Sequence, residues 1–386
     1  MRILMFSHGY PPTISGVTLV VQKIARAMVV RGHQVTVVTA SERYTPYQDE
    51  DQGIRLVRVR GMPNPFWREG PLPVTSSRAI RKLVDQFQPD VIHTHENAVL
   101  SHLLLKLKWD KRPVLISSCY SLPGYIFEYL HFGWLESRFE ALAWKMEVGN
   151  LNHFENVIFC THTHERDFRA HGLRPPTTVI SNGVDLQRYR PEKDPGEEIE
   201  RRYCLPPGPH ILSVGRLMKD KKLDLLIRAM SRVCAEREAH LLMVGMGTER
   251  PHLERLIRRL NLAPYVHLLG PVPERDLPGL YRACDLFAIS SLVEVQSLPV
   301  LQAAVTGLPI VAANSATLPE LVRNGENGFL VNPLDAGEMG NAILHILNHP
   351  DVAWRMGQVS LSIGRAHDER ITFQAYEDLY RRMAGL

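Results

Sequence analysis

Apolar positions in this chain come in two rhythms: short continuous runs, and longer stretches stepping by three and four residues. Arg2-Ile3-Leu4-Met5-Phe6 is a continuous run, the pattern of a strand covered on both faces. It leads into His8-Gly9-Tyr10-Pro11-Pro12, where two prolines demand a loop. After Ser15-Gly16, residues Val17, Val20, Val21, Ile24, Ala25 and Met28 recur at helical steps and predict a helix closed by Gly32. Strands are then predicted at 34–38, 54–59, 91–93, 114–117, 157–159 and 178–180, with a helix over Ser77 to Phe87. Residues 186–209 gather Pro, Gly and charge and are expected to form a linker. Beyond them the rhythm restarts, with strands at 210–214, 240–244, 266–268, 285–289 and 308–312 alternating with helices at 222–234, 249–260, 275–283 and 298–306. Helical stretches at 336–348 and 369–383 close the chain. Such alternation predicts parallel sheets with right-handed crossovers, hence two facing doubly wound α/β domains with the ligand in the cleft at the carboxyl ends of the strands.

Composition narrows the classes. The chain has 386 residues, 45% hydrophobic and 22% charged, too apolar and too evenly charged for disorder. The 5 cysteines form no C-x-x-C pair, which fits buried thiols in a reducing compartment. No apolar run approaches the ~20 residues of a membrane span. The N-terminal stretch lacks the apolar core and cleavage site of a signal peptide, so a cytoplasmic location is expected. The net charge of +4 is unevenly spread: residues 1–120 hold 16 Lys and Arg against 9 Asp and Glu, a net of +7 that leaves −3 for the rest. A basic first segment suits an anionic partner, or is an uneven solvated surface.

Candidate chemistry clusters at predicted strand ends. Gly16 allows close backbone approach after the first strand, as a ligand loop or as a turn. The spacing is not G-x-G-x-x-G, so a dinucleotide fingerprint is absent. In the second half, Ser213-Val214-Gly215-Arg216-Leu217 is followed by Lys221, an Arg and a Lys placed to clamp a diphosphate or to form a solvated basic turn. Gly245 and Gly247 end the next strand. Glu294 lies in a loop before a helix starting near Pro299, so the amides of Ser297 and Leu298 mark the positive helix end, with Gln302 about one turn inside. No D-x-D loop offers a metal site, and Asp49-Glu50-Asp51 is expected in a surface loop. The pairs His93/His95 and His162/His164 have no third ligand nearby in sequence and are expected to be structural or cleft-lining.

These segments together resemble the GT-B glycosyltransferases of family 4, retaining enzymes with an E-x(7)-E motif. The likeness runs through PPTISGV with RGHQVTVVT, PDVIHTH, VISNGVDLQRYRP, SVGRLMKDKKLDLLIRAM, LLMVGMGTER, YRACDLFAISS, VEVQSLPVLQAAVTGLPIVA and LPELVRNGENGFLVNP. The resemblance implies an acceptor-binding domain at 1–190, with a C-terminal helix near 366–386 packed back on it, and a nucleotide-sugar-binding domain at 191–365. It implies that Arg216 and Lys221 bind the donor diphosphate, that Glu294 contacts the donor sugar, that Ser297 and Leu298 meet the phosphates beside Gly16, Gly215 and Gly245, and that Gln302 contacts the ribose. Two positions depart from the pattern. Gln302 stands for the second Glu, which weakens donor binding because an amide accepts from one hydroxyl and donates to the other. Tyr120 stands where the family's His holds a donor-sugar hydroxyl. No cofactor or metal is implied beyond the nucleotide-sugar substrate, and no nucleic-acid module is present.

Residues 122–146 carry Tyr125, Phe127, Tyr129, Phe132, Trp134, Phe139 and Trp144, fitting an acceptor tunnel, a membrane-interface surface or simple packing on the first sheet. Arg78, Arg81 and Lys82 share a predicted helix, and Lys106, Lys108, Trp109, Lys111 and Arg112 mix cations with an aromatic ring. The segment around Tyr129-Leu130-His131 is similar to the diacylglycerol and glycolipid branch of the family. The expectation is hexose transfer to a membrane lipid by a protein peripheral on the inner membrane face. The alternatives are a soluble acceptor, or a nucleotide-sugar-binding protein without catalysis.

Overall fold

The continuous apolar runs are the buried strands of two parallel sheets. The computed structural model describes residues 1–13, 15–64, 70–95, 99–109, 112–123, 136–191 and 196–386. They form two compact units, residues 1–182 with 371–386, and residues 183–370.

The first unit contains β1 (Arg2–Phe6), α1 (Gly16–Val30), β2 (Gln34–Ala40), β3 (Tyr47–Asp51), β4 (Ile54–Met62), β5 (Leu72–Val74), α2 (Ser77–Phe87), β6 (Val91–Thr94), α3 (Val99–Leu105), β7 (Val114–Ser118), α4 (Glu136–Leu151), β8 (Asn156–Phe159), α5 (His162–Ala170) and β9 (Thr177–Val179). Its strands lie in the order β3-β4-β2-β1-β6-β7-β8-β9, with β5 also on β4. The strands from β4 to β9 on this path are parallel, while β3 and β5 run antiparallel to β4. Ser15 caps α1 through a reciprocal bond pair with Thr18, which fixes where the loop after β1 ends.

The second unit contains α6 (Gly196–Tyr203), β10 (His210–Val214), a 3₁₀ turn at Lys219–Lys221, α7 (Leu223–Cys234), β11 (His240–Val244), α8 (Arg250–Arg259), β12 (Val266–Gly270), α9 (Leu277–Arg282), β13 (Leu286–Ile289), α10 (Leu298–Val305), β14 (Ile310–Ala313), α11 (Leu318–Leu321), β15 (Gly328–Val331), α12 (Ala336–Asn348) and α13 (Pro350–Arg365). All six strands are parallel, in the order β12-β11-β10-β13-β14-β15. This is the doubly wound order, whose direction reverses between β10 and β13. Apolar clusters cover both faces of the sheet: Leu226, Ile227 and Met230 of α7 lie on one, Tyr281, Leu301 and Ala304 on the other.

The last helix, α14 (Glu369–Ala384), returns from residue 371 onward to the first unit. Its Tyr380 hydroxyl joins His93 Nδ1 at 2.7 Å, and His93 Nε2 joins Ser118 Oγ at 2.8 Å. Glu377 of the same helix takes His33 at 3.0 Å, Arg31 at 3.2 Å and Arg381 at 2.9 Å. Thr372 Oγ1 donates to the Ser181 carbonyl at 3.0 Å. The buried face of this helix is therefore bonded as well as packed.

Several elements depart from the sequence-based expectation. Asp49-Glu50-Asp51 is not a loop but lies in β3, paired residue for residue with β4, with Asp49 and Glu50 exposed as expected of a surface run. Asp51 Oδ1 takes Arg26 at 2.7 Å, and its Oδ2 accepts from Tyr10 Oη at 2.7 Å and Gln22 at 2.9 Å, so burial's pull on the carboxyl is overridden and its pKa is lowered. The stretch expected as a linker at 186–209 contains α6 and lies within the second unit, where Arg202 and Tyr203 both bond the buried Asp276, at 2.7 and 2.8 Å. Helix α13 fills a stretch to which the sequence pattern assigned no element, its Pro350 placed at the helix start, where a missing N–H costs nothing.

Candidate functional site

The loop after β10 and the loop after β13 meet where the strand order of the second unit reverses. Leaving β10, the chain is held by backbone bonds from Gly215 N to Val244 O at 2.9 Å and from Leu217 N to Met246 O at 2.8 Å. The 3₁₀ turn then brings Lys221 against the loop after β13, and Leu292 N donates to the Asp220 carbonyl at 3.1 Å, stitching the two loops together. The Ser290 hydroxyl adds a second stitch, donating to the Lys221 carbonyl at 2.8 Å.

Lys221 and Glu294, chosen from sequence as separate candidates, form one pair. Lys221 Nζ donates to Glu294 Oε1 at 2.7 Å, to the Val293 carbonyl at 3.2 Å and to Ser291 Oγ at 3.3 Å, and lies 3.3 Å from Asp220. Burial alone would lower the ammonium's pKa, but Glu294 and Asp220 outweigh it and hold it above the ordinary lysine value; Arg216 acts in the opposite sense. Lys221 is thus a fixed positive charge, with the Arg216 charge near enough to be felt. The backbone of Glu294 is itself pinned, its carbonyl accepting from Thr317 Oγ1 at 2.9 Å.

Glu294 leads into α10. Ser297, buried, caps that helix by accepting from Val300 N at 3.4 Å, and Pro299 contributes no N–H. Among the described residues no protein acceptor serves the Leu298 amide, so it marks the positive end of the helix facing the Glu294 loop. Gln302 lies one turn on, and its Oε1 accepts from the buried Tyr281 hydroxyl at 2.9 Å. The expectation that this amide accepts from one ligand hydroxyl and donates to another is therefore narrowed: one lone pair of its oxygen is engaged by the protein, while its N–H groups have no partner among the described residues. Tyr281 had no signal in sequence, since its position on α9 reads as an ordinary core aromatic.

The glycines divide by cause. A Cβ on Gly245, whose φ is +137°, would lie 1.8 Å from the Gly215 carbonyl oxygen, so the fold itself requires glycine there. On Gly16 or Gly215 a Cβ would meet nothing within 4 Å. Their lack of a side chain has no packing cause.

The remaining first-unit candidates lie mostly in the interior of that unit. The hydroxyl of Tyr120, the residue expected to hold a sugar hydroxyl, is buried near Ser118 and Tyr376 of α14, and burial pushes its pKa well up. His93 and His95 are both fully buried, with rings 3.9 Å apart. His162 is exposed and His164 is buried, its Nε2 donating to the Ser121 carbonyl at 2.8 Å. Among the described residues no cluster of three His, Cys, Asp or Glu side chains could hold a metal ion. Tyr125, Phe127, Tyr129, Phe132 and Trp134 lie outside the described residues, while Phe139 and Trp144 fall on α4. Among the described residues no helix is long and apolar enough to cross a membrane.

Comparison with known proteins matches the two halves separately. Residues 14–188 match Glycosyltransferase Family 4, and residues 208–349 match Glycosyl transferases group 1. The alpha-monoglucosyldiacylglycerol synthase of Acholeplasma laidlawii is 22% identical over 98% of this chain and 96% of its own. The glycogen synthase of Mycobacterium tuberculosis is 26% identical over 93% of this chain and 89% of its own. A solved structure of Anabaena HepE in complex with UDP superposes with a TM-score of 0.78 at 21% identity, covering 98% of this chain and 99% of that one. The two parallel-sheet α/β units have the GT-B fold.

Proposed function

The chain belongs to the family 4 glycosyltransferases, and on that premise we propose that it moves a hexose from a nucleotide-diphosphate sugar to a hydroxyl of a membrane lipid of the diacylglycerol class, retaining the anomeric configuration. The observation that carries the reading is the Lys221–Glu294 pair at the β10/β13 reversal, with Arg216 beside it and the α10 N-terminus facing it. In this reading Arg216, Lys221 and the Leu298 amide receive the diphosphate, and Glu294 contacts the sugar. The bond between the anomeric carbon and the phosphate oxygen breaks through an oxocarbenium-like state. The acceptor oxygen then bonds to the same face of that carbon, and its proton passes to the departing phosphate. No protein nucleophile is needed, and the chain's contribution is stabilisation of the leaving charge, worth on the order of 10²–10³ in rate for a single well-placed donor. The step needs no metal, so activity persists in excess EDTA.

The donor assignment is supported by the UDP bound in the HepE structure, and the lipid acceptor by the A. laidlawii relative. The test supplies a panel of nucleotide sugars with diacylglycerol in mixed micelles and reads the product anomer by NMR. A glycolipid with the donor's configuration is expected; a product of inverted configuration, or none with any donor, refutes the reading. The M. tuberculosis glycogen synthase match favours a second reading, a polysaccharide acceptor, and transfer to soluble glucan but not to lipid would establish it.

A further inference from the structure

The inner end of Gln302 and the residue that holds it belong to different helices. Tyr281 on α9 is fully buried, and its hydroxyl lies 2.9 Å from Gln302 Oε1 and 3.2 Å from the Pro299 carbonyl, both on α10. Burial pushes the pKa of this phenol well up, so the hydroxyl keeps its proton and serves as a donor. It has one hydrogen, and the shorter of the two contacts is the one to Gln302. The ring itself has little freedom, standing edge-on to Tyr189 at 5.8 Å and stacking on Phe287 at 5.9 Å. The helix that carries it is fixed at its start, where Asp276 takes Arg202 and Tyr203 of α6. A chain of polar contacts therefore runs from α6 through α9 to Gln302, a side chain on α10 that is only half-buried.

A side-chain amide has two ends of opposite polarity, a carbonyl that accepts and an NH₂ that donates. The Tyr281 hydroxyl draws the oxygen inward and leaves the N–H groups to face outward. We propose that Tyr281 is a positioning residue for the donor substrate, holding the Gln302 amide so that it presents its N–H groups to a ribose hydroxyl of the bound nucleotide. This rests on the donor-site reading above and deepens it. Gln302 lies four residues beyond Leu298, about one turn or ~6 Å along α10. In that reading the Leu298 amide receives the diphosphate, so the ribose joined to the diphosphate is the group within reach of Gln302. A ribose hydroxyl accepts from an N–H as readily as it donates, so an amide turned this way still holds it. Tyr281 then contributes to donor affinity without touching the donor.

The test is calorimetric titration of the full chain with UDP, GDP and ADP, then with the 2′-deoxy and 3′-deoxy forms of whichever binds best. Y281F keeps the ring and removes the hydroxyl, and is expected to weaken that nucleotide about fivefold. Made in a Q302A background, the same substitution is expected to change nothing further, because the side chain it acts through is gone. One of the two deoxy nucleotides is expected to bind the wild-type protein about fivefold more weakly than its parent, and to bind Y281F as it binds wild type. Y189F removes a neighbouring buried hydroxyl that has no partner among the described residues, and should bind like wild type. Urea midpoints check folding. If Y281F does not fold, D276N loosens the start of α9 and is expected to act in the same direction, again only where Gln302 is present. No loss from Y281F, an equal loss in the Q302A background, an equal loss from Y189F, or a loss that persists with both deoxy nucleotides overturns the proposal. If K221Q weakens the nucleotide in the same experiments, the donor reading stands without it. Failure of all three nucleotides to bind the wild-type protein defeats the donor reading and the role of Tyr281 with it.

Discussion

A methyl group on Gly245 would press into the Gly215 carbonyl, while one on Gly16 would face open space, and this difference separates glycines the fold needs from one it does not. Gly245→Ala is expected to cost about 2–3 kcal/mol or more, since it combines a positive φ with a backbone clash. A chemical denaturation midpoint reads it directly. Gly16→Ala sits at the first position of α1 and should leave stability unchanged or raised by about 0.4–1 kcal/mol. If the loop after β1 meets the substrate, the same variant raises KM for the donor with the fold intact; an unchanged KM removes Gly16 from the site. Gln302 gives the complementary case. With one lone pair of its oxygen held by Tyr281, Gln302→Glu places a second carboxylate oxygen where the N–H groups now point, and donor KM should fall by about tenfold if a ligand hydroxyl lies there.

Helix α14 is where elements are bound by polar atoms in a dry place. Tyr380→Phe leaves the buried His93 Nδ1 without its partner and should cost about 1–3 kcal/mol, read by urea denaturation. Acid should find the same seam. Burial lowers the pKa of His93 well below its usual value and takes His95 to about 3. Both rings stay neutral in the folded chain while the unfolded chain takes up protons below about pH 6.5. Stability should therefore fall as pH drops from about 6.5 toward 3, and a urea midpoint that does not change across this range would show that these rings are not buried neutral. The parallel strands were legible because a strand covered on both faces is written as an unbroken apolar run, as in Arg2–Phe6. The edge strand β3 was not, because Tyr47-Gln48-Asp49-Glu50-Asp51 is polar and is held by β4 and by Arg26, which lies in a distant helix. Helix α6 was hidden for the same reason: its polar sequence is fixed by Asp276, far along the chain. Lys221 and Glu294 were legible as residues at strand ends, but that they touch was not, since 73 positions separate them. The inward hydroxyl of Tyr120 was equally unreadable, because one residue beside it, Tyr376, comes from α14.

The two units have separate sheets and separate apolar clusters, so the whole molecule need not melt as one. Calorimetry is expected to resolve two transitions. A nucleoside diphosphate at a hundred times its Kd should raise only the transition of the second unit, by about 2.7 kcal/mol in stability, if the ligand site lies in residues 183–370 alone. A shift of both transitions together would mean that the units unfold as one cooperative body. The return of α14 has a further consequence for the order of events during synthesis. The second unit is inserted within the first, so the ribosome must deliver all of residues 183–370 before the helix that partners His93 and His33 leaves the exit tunnel. Until then the nascent first sheet carries an open polar seam, and any product terminated early keeps it. Full-length chains are thereby set apart from truncated ones by a surface that a chaperone or protease can read.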